Sequence, residues 1–239
     1  MTRAQRLLVT AIGAVIVCAI TSSAASAAGF LGPGHSSTGF ADASGLWFPN
    51  QPSPNFLQVS VDRNEFVFRP TQNSGGTSLM QHATILIVQF QTDTAAGFGC
   101  FIIPDSAFVV GSDTQSASVN VTITDPNSSC PGFAVPFAGI ASGKGGPPPG
   151  GGIPLPLTVS GSWSGNGATA TTTSADRSTC GGFSMENHLS VKSALATASV
   201  SLTMPGLAIA PSPTRQANVD QGNVVSDIQG APSPQCFGA

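Results

Sequence analysis

Alternation of apolar and polar residues runs through most of the chain and predicts strands at short intervals. Leu57, Val59 and Val61 share one face of FLQVSV, and the next residues, Asp62-Arg63-Asn64, have the composition of a tight turn. The segment ATILIVQFQ (83–91) is rich in β-branched residues and predicts a strand buried on both faces. Because helical periodicity is almost absent beyond the N-terminal apolar stretch, the pattern predicts an all-β chain.

Two pairs of segments are separated by turn residues and predict hairpins. FVV (108–110) and SASVNVTIT (116–124) flank Gly111-Ser112-Asp113, and PLTVSGSW (156–163) is followed by Ser164-Gly165-Asn166-Gly167 and ATATTT. Asn-Gly between alternating segments is a strong hairpin signal. Short strands joined in this way predict an antiparallel β-sandwich of immunoglobulin-like or jelly-roll character.

A short internal repeat bears on the domain organisation. A shift of 81 residues aligns 108–122 with 189–203 at six identities in fifteen positions. Chance accounts for such a match because the matched residues are common in this chain, whereas a duplication predicts two similar halves. The predicted organisation is a signal peptide at 1–27, a flexible N-terminal segment at 28–45, a first β module at 46–138, a Gly/Pro-rich linker or loop at 139–154, a second β module at 155–206 and an irregular C-terminal tail at 207–239.

The N-terminus has the three regions of a secretory signal peptide. Arg3 and Arg6 precede fourteen apolar residues, and Ala25-Ser26-Ala27 matches the small-residue cleavage signature. Fourteen apolar residues are fewer than the roughly 20 that span a bilayer, so we expect cleavage near Ala27. The sequence therefore predicts secretion or a cell-surface location, with no transmembrane segment after the signal is removed.

The charge of the chain without this signal excludes one class of partner. Six basic and eleven acidic residues remain, which gives a formal net charge of −5, and the charges are scattered singly. Nucleic-acid binding depends on clustered Lys and Arg that neutralise phosphates, so we expect no nucleic-acid partner.

Four cysteines remain after the signal is removed, and their spacing favours disulfides. Cys100, Cys130, Cys180 and Cys236 are separated by 29, 49 and 55 residues, whereas zinc sites use closely spaced pairs. An even number of cysteines in an exported chain predicts two disulfides. Of the three possible connectivities, the duplication hypothesis favours Cys100–Cys130 and Cys180–Cys236, because each pair then lies within one half.

The sequence lacks a complete catalytic motif. GIASGKGGPPPGGG (139–152) resembles a phosphate-binding loop, but its glycine spacing is too short, Gly145 replaces the required hydroxyl residue and three prolines follow. In GSWSG (161–165), Trp163 occupies the position of a hydrolase nucleophile. We therefore predict no enzymatic activity and no cofactor.

Three sets of residues are nevertheless candidates for a site, each with an ordinary structural alternative. A metal or acid–base site would use Glu186 and His188, two apart on one strand face, together with His82; the alternative is a polar loop. Calcium would use oxygen ligands from turns at Asp105, Asp113 and Asp125; the alternative is turn-forming aspartate. Sugar rings would stack on Trp47, Phe48 and Trp163; the alternative is core packing.

The sequence thus predicts an exported, non-catalytic β-sandwich protein with a structural, adhesive or ligand-binding role at the cell surface or outside the cell. The alternatives are a small secreted hydrolase or metal-dependent enzyme, and a calcium- or carbohydrate-binding domain. The expected partners are cell-wall or extracellular polysaccharide, or another protein.

Overall fold

The computed structural model describes residues 33–47, 56–71, 78–92, 95–130 and 153–230. Most of these residues form one antiparallel sheet of eleven strands, which confirms the all-β prediction. The strands are β1 (Gly34–Trp47), β2 (Phe56–Pro70), β3 (Leu79–Gln91), β4 (Ala96–Ile103), β5 (Phe108–Val110), β6 (Ser116–Ile123), β7 (Leu157–Gly165), β8 (Ala170–Cys180), β9 (Phe183–Met204), β10 (Leu207–Ile209) and β11 (Thr214–Gln229). Within the described ranges, helix is limited to two 3₁₀ turns, Asp105–Ala107 and Pro126–Ser128, and no helix has the length and apolar character needed to cross a membrane. The predicted signal peptide (1–27) and residues 139–152 of the predicted linker lie outside the described residues.

The strand order brings the two ends of the described chain to the centre of the sheet. The order is β4-β3-β2-β1-β11-β9-β7-β6-β5, and β8 and β10 also pair with β9. Strand β1 covers most of the segment predicted to be flexible, and β11 lies in the segment predicted to be irregular. Both expectations differ from the structure because these polar stretches acquire hydrogen-bonded partners on each side: β11 pairs with β1 and with β9.

The hairpin predicted at Asn166-Gly167 is wrong. Strands β7 and β8 lie end to end along the same edge of β9, with Gly165 opposite Ala196 and Ala170 opposite Ser193. The hairpin is formed instead by β8 and β9, through Gly181 and Gly182, whose φ angles are 55° and 89°. Two consecutive residues with positive φ suit the tight turn whose twist matches the flanking strands.

The two segments aligned by the internal repeat have different structures. The first is the predicted hairpin of β5 and β6, which is confirmed by their antiparallel pairing. The second is the C-terminal part of β9, a single strand of 22 residues. Their similarity therefore reflects a shared strand alternation and not a shared supersecondary unit.

The main core draws its buried residues from strands at both ends of the sheet order. They come from β1 to β4 and from β5, β6, β7, β9 and β11. Strand β3 contributes every second residue to this core. Leu86, Val88 and Phe90 are buried, whereas Ile85 and Ile87 are half-buried. The prediction that this strand is buried on both faces is therefore wrong, and β3 lies next to the edge strand β4.

The predicted Cys100–Cys130 disulfide is confirmed. The bond ties β4 to the segment after the second 3₁₀ turn, with 5.5 Å between the two Cα atoms. Cys180, at the end of β8, is also disulfide-bonded. Its predicted partner, Cys236, lies outside the described residues, so that pairing stays a prediction.

Candidate functional site: an open polar sheet face and an aspartate row

The buried face of the sheet changes along its four central strands, β2, β1, β11 and β9. In β1 the buried residues include Ser36 near the start but Ala43 and Trp47 near the end, and these positions differ in parity. In β11 the change runs from Val219 to Ile228. Successive side chains in a strand point to opposite faces. One face of the sheet is therefore buried at one end of these strands, and the opposite face is buried at the other end.

This change explains why the turn predicted at Asp62-Arg63-Asn64 is wrong. Strand β2 is continuous through these residues, but its buried positions shift from Val59 and Val61 to Phe68. The break in the sequence alternation thus marks a change of buried face within a strand. A second, smaller core of Phe68, Phe183 and Ile228 forms on the newly buried side.

The opposite side of this end of the sheet is uncovered, and we call it the open face. The strand register across β2, β1, β11, β9 and β8 identifies the residues that lie on this face, and their side chains are exposed or half-buried. Its members are Arg69, Val67, Glu65, His35, Ser37, Gly39, Asp227, Val225, Asn223, Glu186, His188, Ser190, Arg177, Ala175 and Thr173.

A row of five charged or titratable residues crosses the open face. Each residue lies directly opposite the next on the neighbouring strand, in the order Arg69, His35, Asp227, Glu186, Arg177. The two central carboxylates are like charges on adjacent strands, an arrangement that destabilises a sheet unless cations lie nearby. Arg69 and His35 flank one side of this acidic pair, and Arg177 flanks the other.

Two histidines contact these carboxylates directly. His35 Nδ1 contacts the carboxylate of Asp227, and His188 Nε2 lies 3.0 Å from Oε1 of Glu186. The four side chains are 45–66% exposed, so each contact is open to solvent and worth little stability by itself. The predicted proximity of Glu186 and His188 on one strand face is thus present in the structure.

An open groove of about 410 Å³ lies beside this row. Its lining consists of Thr173, Ser174, Ala175, His188, Leu189, Ser190, Asn223 and Val225. On β1, next to Asn223, a Cβ atom built on Gly39 would meet no other atom within 4 Å. The surface therefore stays open beyond the groove, across the middle of the face.

His82 does not join Glu186 and His188. It lies on β3, which is separated from β9 by β2, β1 and β11, and its Nε2 is 2.6 Å from Oδ2 of Asp105. In the described part of the chain, no group of three or more His, Cys, Asp or Glu side chains is arranged to hold a metal ion. The three residues nominated for an acid–base or metal site thus do not converge.

The carboxylate of Asp105 is held by neighbouring side chains. The Thr84 hydroxyl donates to its Oδ1 at 2.5 Å. That hydrogen bond, with smaller contributions from His82 and Arg63, lowers the pKa of Asp105. The residue therefore anchors the 3₁₀ turn after β4 to β3.

The other two calcium candidates cap turns in the same way. Asp113 Oδ1 accepts from the backbone N–H of Gln115 at 3.0 Å, and Asp125 Oδ1 accepts from that of Asn127 at 2.8 Å. Aspartate commonly closes turns by bonding a backbone N–H two residues on. This geometry corresponds to the structural alternative for both residues.

Both described tryptophans belong to the main core. Trp47 is 4% exposed and Trp163 is 2% exposed, so neither presents a ring to solvent. Trp163 Nε1 donates to the Ser44 carbonyl at 2.9 Å. Phe48, the third aromatic candidate, lies outside the described residues.

Sequence reasoning missed a row of three aspartates on the side opposite the open face. Asp42 of β1 lies directly opposite Asp62 of β2 and Asp220 of β11. Asp42 is 5% exposed, and its Oδ2 has no hydrogen-bond partner. Burial, together with the charges of Asp62 and Asp220, raises the pKa of Asp42 well above its ordinary value. The available signal was an acid placed inside an apolar alternation, as in Ala41-Asp42-Ala43 and Val61-Asp62.

Comparison with protein-family models and with curated proteins found no match for this chain. A functional proposal therefore depends on the open face and the aspartate row.

Proposed function

We propose that this chain is an exported, non-catalytic β-sandwich protein that binds an extended extracellular ligand through the open face. The observation that carries the proposal is a polar surface spanning five strands that no described element covers. A sandwich arrangement is supported by the main core, to which strands from both ends of the sheet order contribute. It is also supported by the Trp163–Ser44 hydrogen bond between β7 and β1, which are not neighbours in that order.

The chemistry of the open face favours a polyhydroxylated polymer, and we assign cell-wall polysaccharide as the ligand class. Short hydroxyl and amide side chains in the groove lining, Thr173, Ser190 and Asn223, supply both donors and acceptors beside apolar Ala175, Leu189 and Val225. The adjacent charged row adds stronger donors and acceptors at its ends and centre. A long polymer fits an open, elongated surface better than a closed pocket does.

The open face also predicts the strength of binding. None of its described members is Trp or Phe, so stacking on sugar rings contributes nothing there. Each net hydrogen bond supplies only about 1 kcal/mol, so a single contact region binds weakly. Retention on an insoluble polymer would then depend on many contacts made at once.

Gly39 allows this surface to be blocked without disturbing the core. Its φ is not in the left-handed region and the space above it is open, so the strand accommodates a larger side chain. We expect Gly39→Arg and Gly39→Glu each to reduce retention on insoluble cell-wall polysaccharide several-fold, because either side chain covers the face. Two variants of opposite charge separate steric blocking from electrostatic effects.

Gly167→Arg is the matched control. Gly167 also has open space around its Cβ position but lies between β7 and β8, outside the open face. Retention of the parent chain and this control, with loss in both Gly39 variants, would support the proposal. Clean release of the parent chain from the polymer, or equal retention of all four proteins, would contradict it.

The proposed export has its own measurement. We expect the chain in the medium or in the cell-wall fraction of the producing cells to begin near Ala28, after removal of the signal peptide. Sequencing its N-terminus after fractionation of the cells tests this. Recovery of the intact N-terminus in the cytoplasmic fraction would contradict it.

A further inference from the structure

The aspartate row has a placement that the proposed ligand binding does not use. It crosses β2, β1 and β11 at the level where the buried face of the sheet changes. At this level both sides of the sheet are covered, because Ala41, Asp42 and Ala43 are buried in succession. An ionised Asp42 here has lost nearly all contact with water, whereas Asp62 and Asp220 are half-buried. Burying a charge such as that of Asp42 without a partner is costly.

The residues around Asp42 supply no positive charge. The charged groups that act on it are Asp62 from β2 and Asp220 from β11, and no described Lys, Arg or His is among them. Farther along the same row lie Ile85 of β3 and Ser193 of β9. Arg63 follows Asp62 in the sequence, but its guanidinium donates to the carbonyl of Phe108, on the other face of the strand.

The neighbouring polar groups serve Asp62 and Asp220 instead. The Ser60 hydroxyl donates to Oδ2 of Asp62 at 3.2 Å, and the Asn218 amide donates to Oδ2 of Asp220. Asp42 Oδ2 is left without a partner. A proton on Asp42 removes this deficit, because the neutral carboxyl donates to a neighbouring carboxylate and carries no charge.

We propose that the row of Asp42, Asp62 and Asp220 is a proton-operated switch that stabilises the middle of the sheet in acid and loosens it as the surroundings become neutral. In acid, the row holds a proton between its carboxylates. When that proton leaves, three adjacent like charges repel one another across β2, β1 and β11. The same three strands carry part of the open face, so loosening the row weakens the platform that presents it.

The sign of the pH dependence follows from the direction of the shift. The pKa of Asp42 is raised in the folded chain, so at pH values above the ordinary aspartate value, about 3.9, the folded chain keeps a proton that the unfolded chain has lost. Stability is therefore fully present below that value and is lost as the pH rises through the raised pKa. Between the ordinary aspartate pKa and the raised pKa of Asp42, the unfolding equilibrium constant increases about tenfold per pH unit for one linked proton.

The test is urea unfolding of the full chain over a series of pH values, with Asp42→Asn as the main variant. The amide resembles the neutral carboxyl. We therefore expect the free energy of unfolding of this variant to fall much less with rising pH, and the variant to be more stable than the parent at neutral pH. Asp220→Asn removes one repelling charge and should shift the parent in the same direction. Glu65→Gln, an exposed position on β2, changes the net charge equally and should have no effect.

Three results would overturn the proposal. One is an Asp42→Asn chain whose stability declines with pH as steeply as that of the parent. Another is a parent chain whose stability does not fall as the pH rises from acid to neutral. The third is recovery of the parent's neutral-pH stability on adding calcium or magnesium, with reversal by a chelator, because the row would then be neutralised by a metal ion. If Asp42→Asn fails to fold, Asp220→Asn provides the same comparison.

Discussion

The hydrogen bond from Trp163 to Ser44 tests whether the two groups of strands pack across one core. Trp163 lies on β7 and Ser44 on β1, and β9 and β11 stand between these strands in the sheet order. The bond therefore joins two strands that are not paired with each other in the sheet. Replacing Trp163 with phenylalanine removes the donor and part of the buried ring while keeping an aromatic side chain.

Trp47 provides a comparison of the same chemistry without the bond. It is buried to a similar extent, but its Nε1 has no hydrogen-bond partner. For Trp163→Phe, we add about 1–2 kcal/mol for lost buried volume to about 1–2 kcal/mol for the hydrogen bond and the carbonyl left without its donor. For Trp47→Phe, the volume loss is largely offset because an unpaired buried N–H, which costs about 1–3 kcal/mol, is removed.

We therefore expect Trp163→Phe to lower the free energy of unfolding by about 2–4 kcal/mol and Trp47→Phe to lower it by about 1 kcal/mol or less. Urea unfolding followed by far-UV circular dichroism is the suitable assay, because the chain has only two tryptophans and either variant alters the fluorescence. The two variants should share the parent's dependence on urea concentration. A Trp47→Phe chain as destabilised as Trp163→Phe would refute the argument.

Three further predictions concern a disulfide, a turn and a side-chain hydrogen bond. Alanine at both Cys100 and Cys130 should lower the free energy of unfolding by about 3 kcal/mol, because the loop that the disulfide closes gains freedom in the unfolded chain; an unchanged urea midpoint would contradict this. Gly182→Ala should cost about 1 kcal/mol, because φ is +89° there, whereas Gly182→Asn should cost less; equal midpoints for the two would remove the conformational explanation. Thr84→Val should raise the pKa of Asp105 toward its ordinary value, since the largest cause of its lowering is lost, so the stability that this carboxylate contributes should be lost at a higher pH on acidification; an unchanged carboxyl titration by NMR would show that the hydrogen bond has no such effect.

The sequence was most informative where a short segment contains its own evidence. The alternation around FVV and SASVNVTIT predicted β5 and β6, and the turn between them was placed correctly. Cysteine number and spacing predicted disulfides, and the Cys100–Cys130 pairing was chosen among three connectivities on the duplication hypothesis. The pair Glu186 and His188 was expected on one strand face because residues two apart in a strand point the same way, and the two side chains are in contact.

Two errors came from interruptions of the alternation. At Asp62-Arg63-Asn64 the interruption resembled a turn, but it marks the level at which β2 changes its buried side. The Asn166-Gly167 pair separates β7 from β8, yet both strands pair with β9, so the chain continues in the same direction. Local composition cannot distinguish these cases, because a turn and a change of covering layer produce the same break.

The sequence alone determined the all-β character and the presence of disulfide-forming cysteines, because each depends on residue type and spacing. Only the tertiary structure decided that β11 lies between β1 and β9, that a polar face remains open, and that three aspartates separated by up to 178 residues share one row. The period of a strand states which side chains lie together within that strand. It does not state which strand lies beside it or which layer covers it, and both the open face and the aspartate row depend on those nonlocal contacts.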